Sequence, residues 1–281
     1  MGKRKKFREG RKHRGLTLEQ LASSIDSTAA SVSRLETGKQ PCSPATSAGD
    51  PAPELNPDLD RARFAKAFAS TGRVHIPNVL TEVSARRLHH ALEHETPWGL
   101  IFNEGRDARE FRMVSPNDHQ AMALAAWERA HSEFQYFYHY FRLLEGRRIY
   151  TGPDHYLGKT VSFLTSPSFL ALMREVTGYD AISWLNGTAT LFKPLDFLTL
   201  HDDDPRGGTR LVAYVLNMTP EWRPDWGGAL QFFDRKDHIE EAYLPTFNAL
   251  NLFRVPKPHS VSQVSAFGGL RYSISGWLER A

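Results

Sequence analysis

The sequence predicts an α+β fold: a double-stranded β-helix of jelly-roll type with helices packed on one sheet, preceded by a short helical N-terminal segment. Three observations carry that expectation. After Asp180 the texture changes from helical periodicity to short runs rich in β-branched and aromatic residues, broken by Gly, Pro and Asp. Seven or eight such runs fit into about 100 residues, the density of a sandwich or barrel. Before Asp180 lie several helix-type segments, which must cover a sheet face because an apolar face needs a partner layer.

Taken in order, the chain opens on a basic tail. Residues 1–14 carry eight Lys/Arg against one Glu, a net of +7, so the overall +3 leaves residues 15–281 at −4. Residues 7–39 suggest short helices: Thr17 caps one holding Leu18, Leu21 and Ile25, and a turn at Asp26–Ser27 leads to one with Val32 and Leu35, ended by Gly38. Residues 1–40 thus form a partial helix-turn-helix-like basic segment. Ser31, Ser33 and Arg34 are set toward DNA and the basic residues toward phosphates. The pattern stops after three helices, and a piece so short buries little surface alone.

Residues 41–57 hold five prolines among Ser, Ala and Gly, the composition of a linker; Cys42 there is an incidental thiol. Residues 58–281 form the globular domain, with a helical part over 58–180 and the β-helix core over 181–281. Its first helix spans LDRARFAKAFAST and is closed by Gly72. A strand RVHIP follows, then a helix capped by Thr81 with Val83, Leu88 and Leu92 on one face. His90 and His94, at i and i+4 on that helix, are read as a polar face. Residues 96–116 read as irregular. Residues 118–145 read as one long helix whose seven aromatics, from Trp127 to Phe141, pack across the back of the sheet; an aromatic wall facing substrate is the functional alternative. SPSFLALMREVTGYD is a helix capped by Ser166, with Pro167 first and Gly178 last. The strands then run AISWLNGTATLF, DFLTLH, RLVAYVLNM, GALQFF, FNALNLFRV, HSVSQV and LRYSISGW.

The chemistry lies in these strands. His201-x-Asp203 places an imidazole and a carboxylate two residues apart, on one side of an extended strand, with Asp202 turned away. His259 comes 56 residues after Asp203, and Arg271 twelve residues later. Two histidines and one carboxylate are the ligand set of a mononuclear non-haem Fe(II) site, which leaves three positions open for co-substrate and O₂. A dicarboxylate such as 2-oxoglutarate needs a fixed cation for its far end, and arginine's planar fork suits a carboxylate. Ser273, two residues on and on the same face, adds a hydroxyl. His131-x-Glu133 and His238-x-Glu240 share the short spacing but read as solvated pairs.

The pattern HDD…TPEW…WGGALQF…HSV…RYSISGW, over roughly residues 58–281, resembles the 2-oxoglutarate/Fe(II)-dependent oxygenases of the prolyl-hydroxylase type. It most resembles the branch that hydroxylates a ribosomal-protein proline. The resemblance implies His201, Asp203 and His259 as iron ligands and Arg271 as the 2-oxoglutarate anchor. It also implies O₂ as co-substrate, ascorbate as a reductant, and a proline-containing protein or peptide as substrate. Two departures stand out. Phe192 occupies a position where the family often has a tyrosine, and Asn217 another; Asn217 can still donate a hydrogen bond to the co-substrate, and Phe192 cannot.

Two rival readings compete with this one. A metal-dependent hydrolase using Asp202–Asp204 leaves Arg271 unexplained. A DNA-binding regulator would use residues 1–40 on DNA and the jelly roll as a sensor of metal or a small ligand. One cysteine excludes an internal disulfide framework and fits a reducing cytoplasm. The basic N-terminus leads into no apolar signal segment, and no apolar run reaches membrane-spanning length, so no membrane partner is expected.

Overall fold

The computed structural model describes residues 49–105, 107–203 and 208–281. The helix-turn-helix expectation over 1–40 and Cys42 lie outside these residues. In chain order the elements are α1 (Arg61–Thr71), β1 (Arg73–Pro77), α2 (Glu82–His90, continued by a π turn Ala91–Glu95), β2 (Gly99–Glu104), β3 (Asp107–Phe111) and α3 (Pro116–Ala130). Then come β4 (Tyr136–Glu145), β5 (Arg148–Ile149), α4 (Tyr156–Leu164), α5 (Pro167–Thr177), β6 (Trp184–Leu185), β7 (Gly187–Phe192) and β8 (Phe197–His201). The remainder is β9 (Arg210–Asn217), β10 (Leu230–Phe233), β11 (Ile239–Tyr243), β12 (Ala249–Arg254), β13 (His259–Val261) and β14 (Arg271–Glu279).

The strands pair antiparallel in the order β1-β12-β9-β14-β7-β4-β8-β13-β10-β11. One curled sheet thus supplies both walls of a nearly closed jelly-roll-like barrel. Helices α1, α2, α4 and α5 cover the outer face of the β1–β7 wall, where Phe68, Leu88, Phe169, Met173, Tyr214 and Ile274 belong to one buried core. A second apolar cluster lines the barrel, with Phe192, Phe232, Phe253, Val261 and Val264 at its centre. A third lies under α3, between Phe102, Ala126, Phe137 and Phe197.

The helix ends follow the sequence. Thr81 and Ser166 accept hydrogen bonds from the N–H groups of Ser84 and Phe169. Gly72 and Gly178 close α1 and α5 with left-handed φ near 72°. The expected stripe Phe169, Leu172, Met173 and Val176 is buried. Val83, expected on the buried face of α2, is instead exposed, while Leu88 is buried.

Four expectations are corrected. The long helix over 118–145 stops at Ala130, and the aromatic run becomes β4, a strand inserted between β7 and β8. Before a bulge at Arg142–Leu144 its side chains alternate between faces, with Phe137 in the cluster under α3 and Tyr138 against the one lining the barrel, and β-type aromatics satisfy a sheet surface better than a helix. Residues 99–111 are a β2–β3 hairpin rather than irregular chain. The division into a helical part over 58–180 and a β core over 181–281 therefore fails, because β1 to β5 precede Asp180. Finally, residues 50–57 lie along the body rather than linking to it. Asp50 pairs with Arg87 at 2.6 Å, the Asn56 N–H donates to the Val79 carbonyl at 2.9 Å, and Pro53 is buried. A proline-rich segment cannot nucleate a core, yet its remaining peptide groups can still pair with a neighbour.

α4 and β11 were not visible in the sequence. α4 carries Gly158 in mid-helix, a poor helix former. A Cβ there would sit 2.1 Å from the Gly152 carbonyl oxygen, so close packing requires the glycine.

Candidate metal centre

His201 closes β8 and His259 opens β13, and the two are direct partners in the antiparallel pair. Cross-strand partners project to the same side, and the imidazole centroids are 4.1 Å apart. Asp203 completes the group: its Oδ1 is 3.4 Å from His201 Nε2 and its Oδ2 is 3.5 Å from His259 Nε2. Among the described residues this is the group of His, Cys, Asp and Glu whose ligand atoms converge closely enough for a metal ion. Neither His90/His94 nor the two decoy His-x-Glu pairs belongs to it. His90 and His94 approach Glu95 and Glu93 on a helix surface, as expected.

The local route differs from the expected one in one respect. β8 ends at His201, and Asp203 does not continue the strand. Its φ is +59°, in the left-handed region that aspartate tolerates better than most residues. That turn brings the carboxylate back between the imidazoles, while Asp202 is exposed, as the spacing suggested.

Each ligand atom is oriented from behind. His201 Nδ1 lies 2.9 Å from the Thr199 carbonyl, and His259 Nδ1 lies 2.7 Å from the Lys257 carbonyl. A carbonyl only accepts, so each Nδ1 carries the proton and each Nε2 lone pair faces Asp203 and the cavity. Trp277 Nε1–H donates to Asp203 Oδ2 at 2.9 Å, and the Arg210 guanidinium lies 3.6 Å over the Trp277 ring. Burial pushes the His259 pKa down to about 4, helped by His201, which keeps the imidazole neutral. Burial raises Asp203, but the two imidazoles and Trp277 outweigh it and leave the carboxyl below its ordinary range. A neutral pair of imidazoles with one carboxylate is the form a divalent ion takes.

The second half of the site lies deeper, on β14, β7 and β9. Arg271 is paired in register with Phe192, and Ser273 with Thr190 and Asn217. The Arg271 guanidinium is 2% exposed and lies 5.0 Å over the Phe192 ring. Its Nη1 donates to Ser273 Oγ at 3.4 Å, and among the described residues its Nε has no partner and no carboxylate pairs with it. Burial lowers its pKa to about 10. Asn217 is 1% exposed, and neither its Oδ1 nor its Nδ2 has a partner among the described residues. Ser273 Oγ shares a 2.7 Å hydrogen bond with Thr190 Oγ1. Buried polar groups are normally satisfied, so an unpaired cation beside an unsatisfied amide fits an anionic guest of carboxylate type. Arg271, Ser273 and Asn217, proposed from sequence, thus come together.

Sequence reasoning missed three groups. Trp277 falls on the same face of β14 as Arg271 and Ser273, and the period of two could have found it. Tyr138 stacks on Phe192, with centroids 4.8 Å apart and planes at 15°. Phe134 lies 4.9 Å from the His201 ring and 5.7 Å from Tyr136 while remaining 43% exposed. Phe134 is held by its neighbour Gln135, a buried residue that clamps three strands. The Gln135 side chain accepts from the N–H groups of Asn103 and Tyr136 and donates to the Asn103 carbonyl; its main chain bonds Thr199. Phe134 of the aromatic run therefore lies beside the His201–Asp203–His259 cluster, while Phe137 and Phe141 pack in the apolar clusters, as the packing reading expects.

Comparison with known proteins agrees with this geometry. Residues 188–279 match the family model described as the 2OG-Fe(II) oxygenase superfamily, and residues 7–46 match a helix-turn-helix model. The chain is 32% identical over 117 residues to prolyl 3-hydroxylase OGFOD1 of Mus musculus, covering 39% of this chain and 21% of that protein. It is 36% identical over 127 residues to prolyl 3-hydroxylase OGFOD1 of Xenopus laevis, covering 43% and 24%. The chain thus matches about a fifth to a quarter of the length of these relatives. Among solved structures, an oxidoreductase of the 2OG-Fe(II) oxygenase family from Burkholderia pseudomallei superposes with a TM-score of 0.57 at 13% identity, over 81% of this chain and 94% of that one. A Pseudomonas putida prolyl-4-hydroxylase gives 0.53 at 17%, over 79% and 99%. These similarities show the fold. No helix among the described residues is long and apolar enough to cross a membrane.

Proposed function

We propose that this chain, whose residues 188–279 match the 2OG-Fe(II) oxygenase family model, is an Fe(II)- and 2-oxoglutarate-dependent dioxygenase that hydroxylates a prolyl residue of a protein. The observation that carries the reading is the pairing of two sites in one barrel: a His201–Asp203–His259 cluster and, deeper, a buried Arg271 without a counter-ion. His201, Asp203 and His259 would hold the iron. Arg271, Ser273 and Asn217 would hold the far carboxylate of 2-oxoglutarate. When bound, iron and 2-oxoglutarate supply oxidative decarboxylation of the keto acid, coupled to insertion of one oxygen atom of O₂ into a substrate C–H bond.

The chain's own residues set up that chemistry. The Thr199 and Lys257 carbonyls fix the imidazole tautomers, and Trp277 holds Asp203 from the side. Phe192, Phe232, Phe253 and Val261 keep the cavity apolar, which strengthens the pull of Arg271 on an anion. Phe134 and Tyr136 form an aromatic shelf beside His201, and a compact apolar prolyl ring suits such a shelf. The relatives named as prolyl hydroxylases support the same substrate class. Ascorbate fits as reductant, and a cytoplasmic location fits a chain with one cysteine.

The test is an anaerobic titration of Fe(II)-loaded protein with 2-oxoglutarate, read by the weak visible charge-transfer band. His201→Ala should lose the band and Arg271→Ala should weaken it. Absence of the band in the wild type overturns the reading. Mass spectrometry of proline-containing peptides after aerobic turnover then tests the substrate class. A second reading, a DNA-binding regulator with the barrel as sensor, is favoured by the helix-turn-helix match at residues 7–46. Deleting residues 1–49 separates the two: an enzyme keeps 2-oxoglutarate turnover, and a regulator loses salt-sensitive DNA binding.

A further inference from the structure

Three strands in a row bring Arg271, Phe192 and Tyr138 side by side. β14 pairs Arg271 with Phe192, and β4 pairs Tyr140 with Thr190 and His139 with Leu191, which brings Tyr138 against Phe192. The strand order β14-β7-β4 puts Arg271 on one flank of Phe192 and Tyr138 on the other. The ring of Phe192 touches both, at 5.0 Å from the guanidinium and 4.8 Å from the phenol centroid. Tyr138 packs against the apolar cluster that lines the barrel. No described residue makes a hydrogen bond with its hydroxyl, whereas the Tyr140 hydroxyl on the same strand donates to Glu110. β8, which ends in His201, is the next strand beyond β4.

A ligand reaching from Arg271 to the His201–Asp203–His259 cluster passes Phe192, which offers no polar atom. We infer that Tyr138 is the co-substrate donor of this barrel: its hydroxyl hydrogen-bonds the keto-acid end of 2-oxoglutarate, at the metal side, while Arg271 takes the far carboxylate. This rests on the proposed use of 2-oxoglutarate. Phe192 then acts as a spacer whose stacked face orients the phenol. A phenol is both donor and acceptor, and burial raises its pKa, so it stays protonated as a donor at neutral pH. The dividing line between the two anchors is the length of the ligand: Arg271 reads a second carboxylate, and Tyr138 reads the group shared by every 2-oxo acid.

That division gives the test. The full chain is loaded with Fe(II) without oxygen and titrated with 2-oxoglutarate and, separately, with pyruvate, a 2-oxo acid lacking the distal carboxylate. Tyr138→Phe keeps the ring and its stacking and removes one charged-acceptor hydrogen bond. It should weaken both ligands by the same factor, about ten- to hundredfold. Arg271→Met should weaken 2-oxoglutarate and leave pyruvate unchanged. If Tyr138→Phe binds both ligands like the wild type, the phenol only packs and the inference is wrong. If the wild type binds neither ligand, the proposed function itself fails, a separate result. Should Tyr138→Phe not fold, 3-fluorotyrosine placed at position 138 keeps the hydroxyl. Its fluorine resonance should then shift on adding 2-oxoglutarate to protein loaded with diamagnetic Zn(II) in place of iron, and no shift overturns the inference.

Discussion

The two ends of the barrel interior solve opposite electrostatic problems. At the metal end, one carboxylate sits between two imidazoles, and every group has a partner behind it: Thr199, Lys257 or Trp277. At the deep end, a guanidinium and an amide are buried with their polar atoms largely unanswered. The first end is prepared before its guest arrives. The second is held under a desolvation penalty that only an anion relieves. A site can therefore be recognised by its satisfied groups or by its unsatisfied ones, and this barrel contains both.

Several substitutions test that contrast, and the largest effects belong to the ligands. Asp203→Ala should abolish Fe(II)-dependent turnover and remove the cluster's one negative charge; metal content by elemental analysis and succinate formation check it. Arg271→Met should separate binding from stability. It should weaken 2-oxoglutarate by roughly 2–5 kcal/mol, because the ligand's far carboxylate is left without its partner. The same change should leave the melting temperature of the ligand-free protein unchanged or raised, because a buried unpaired cation is replaced by an apolar chain. A large fall in melting temperature would show that Arg271 is structurally compensated and would break the contrast. Trp277→Phe should reduce metal affinity about ten- to hundredfold, measured by competition with a chelator, while 2-oxoglutarate binding to metal-saturated protein stays near wild type.

The smallest effect is in pH. The His259 imidazole titrates near 4 in the fold and near 6.5 when unfolded, so the unfolded chain binds the proton first. Metal-free protein should therefore lose stability as pH falls from about 6.5 toward 4. The depressed Asp203 carboxyl acts in the same direction, its contribution fading further as acid protonates it. Thermal melts across that range should show a shallower acid limb in His259→Gln, and Arg271→Met should leave the limb unchanged because guanidinium does not titrate there.

The convergence of His201, Asp203 and His259 was legible because these residues sit at spacings that strands enforce: a short pair and a distant histidine. Arg271 and Ser273 were legible for the same reason, as same-face positions of one strand. The geometry behind Asp203 was not, since a left-handed φ of 59° after a strand leaves no mark in an acidic run. β4 was misread because His131-Ser132-Glu133 separates it from α3 without a Gly or Pro, so the helical periodicity of α3 runs on without a stop. The run EFQYFYHYF is then short and apolar enough to suit either element. That one error also hid Tyr138 and Phe134, whose proximity to the metal cluster depends on β4 lying between β7 and β8.

The insertion of β4 has a practical consequence for anyone handling this protein. The family match begins at residue 188, yet the stave that joins the two walls comes from residues 136–145. A fragment cut at the match would expose one long edge of β7 and one of β8, each with unpaired peptide groups and apolar side chains. Such edges recruit one another, and the fragment should precipitate or swap strands instead of forming a smaller working barrel. The useful boundary for expression is Asp50, where the first residues to pair with α2 begin.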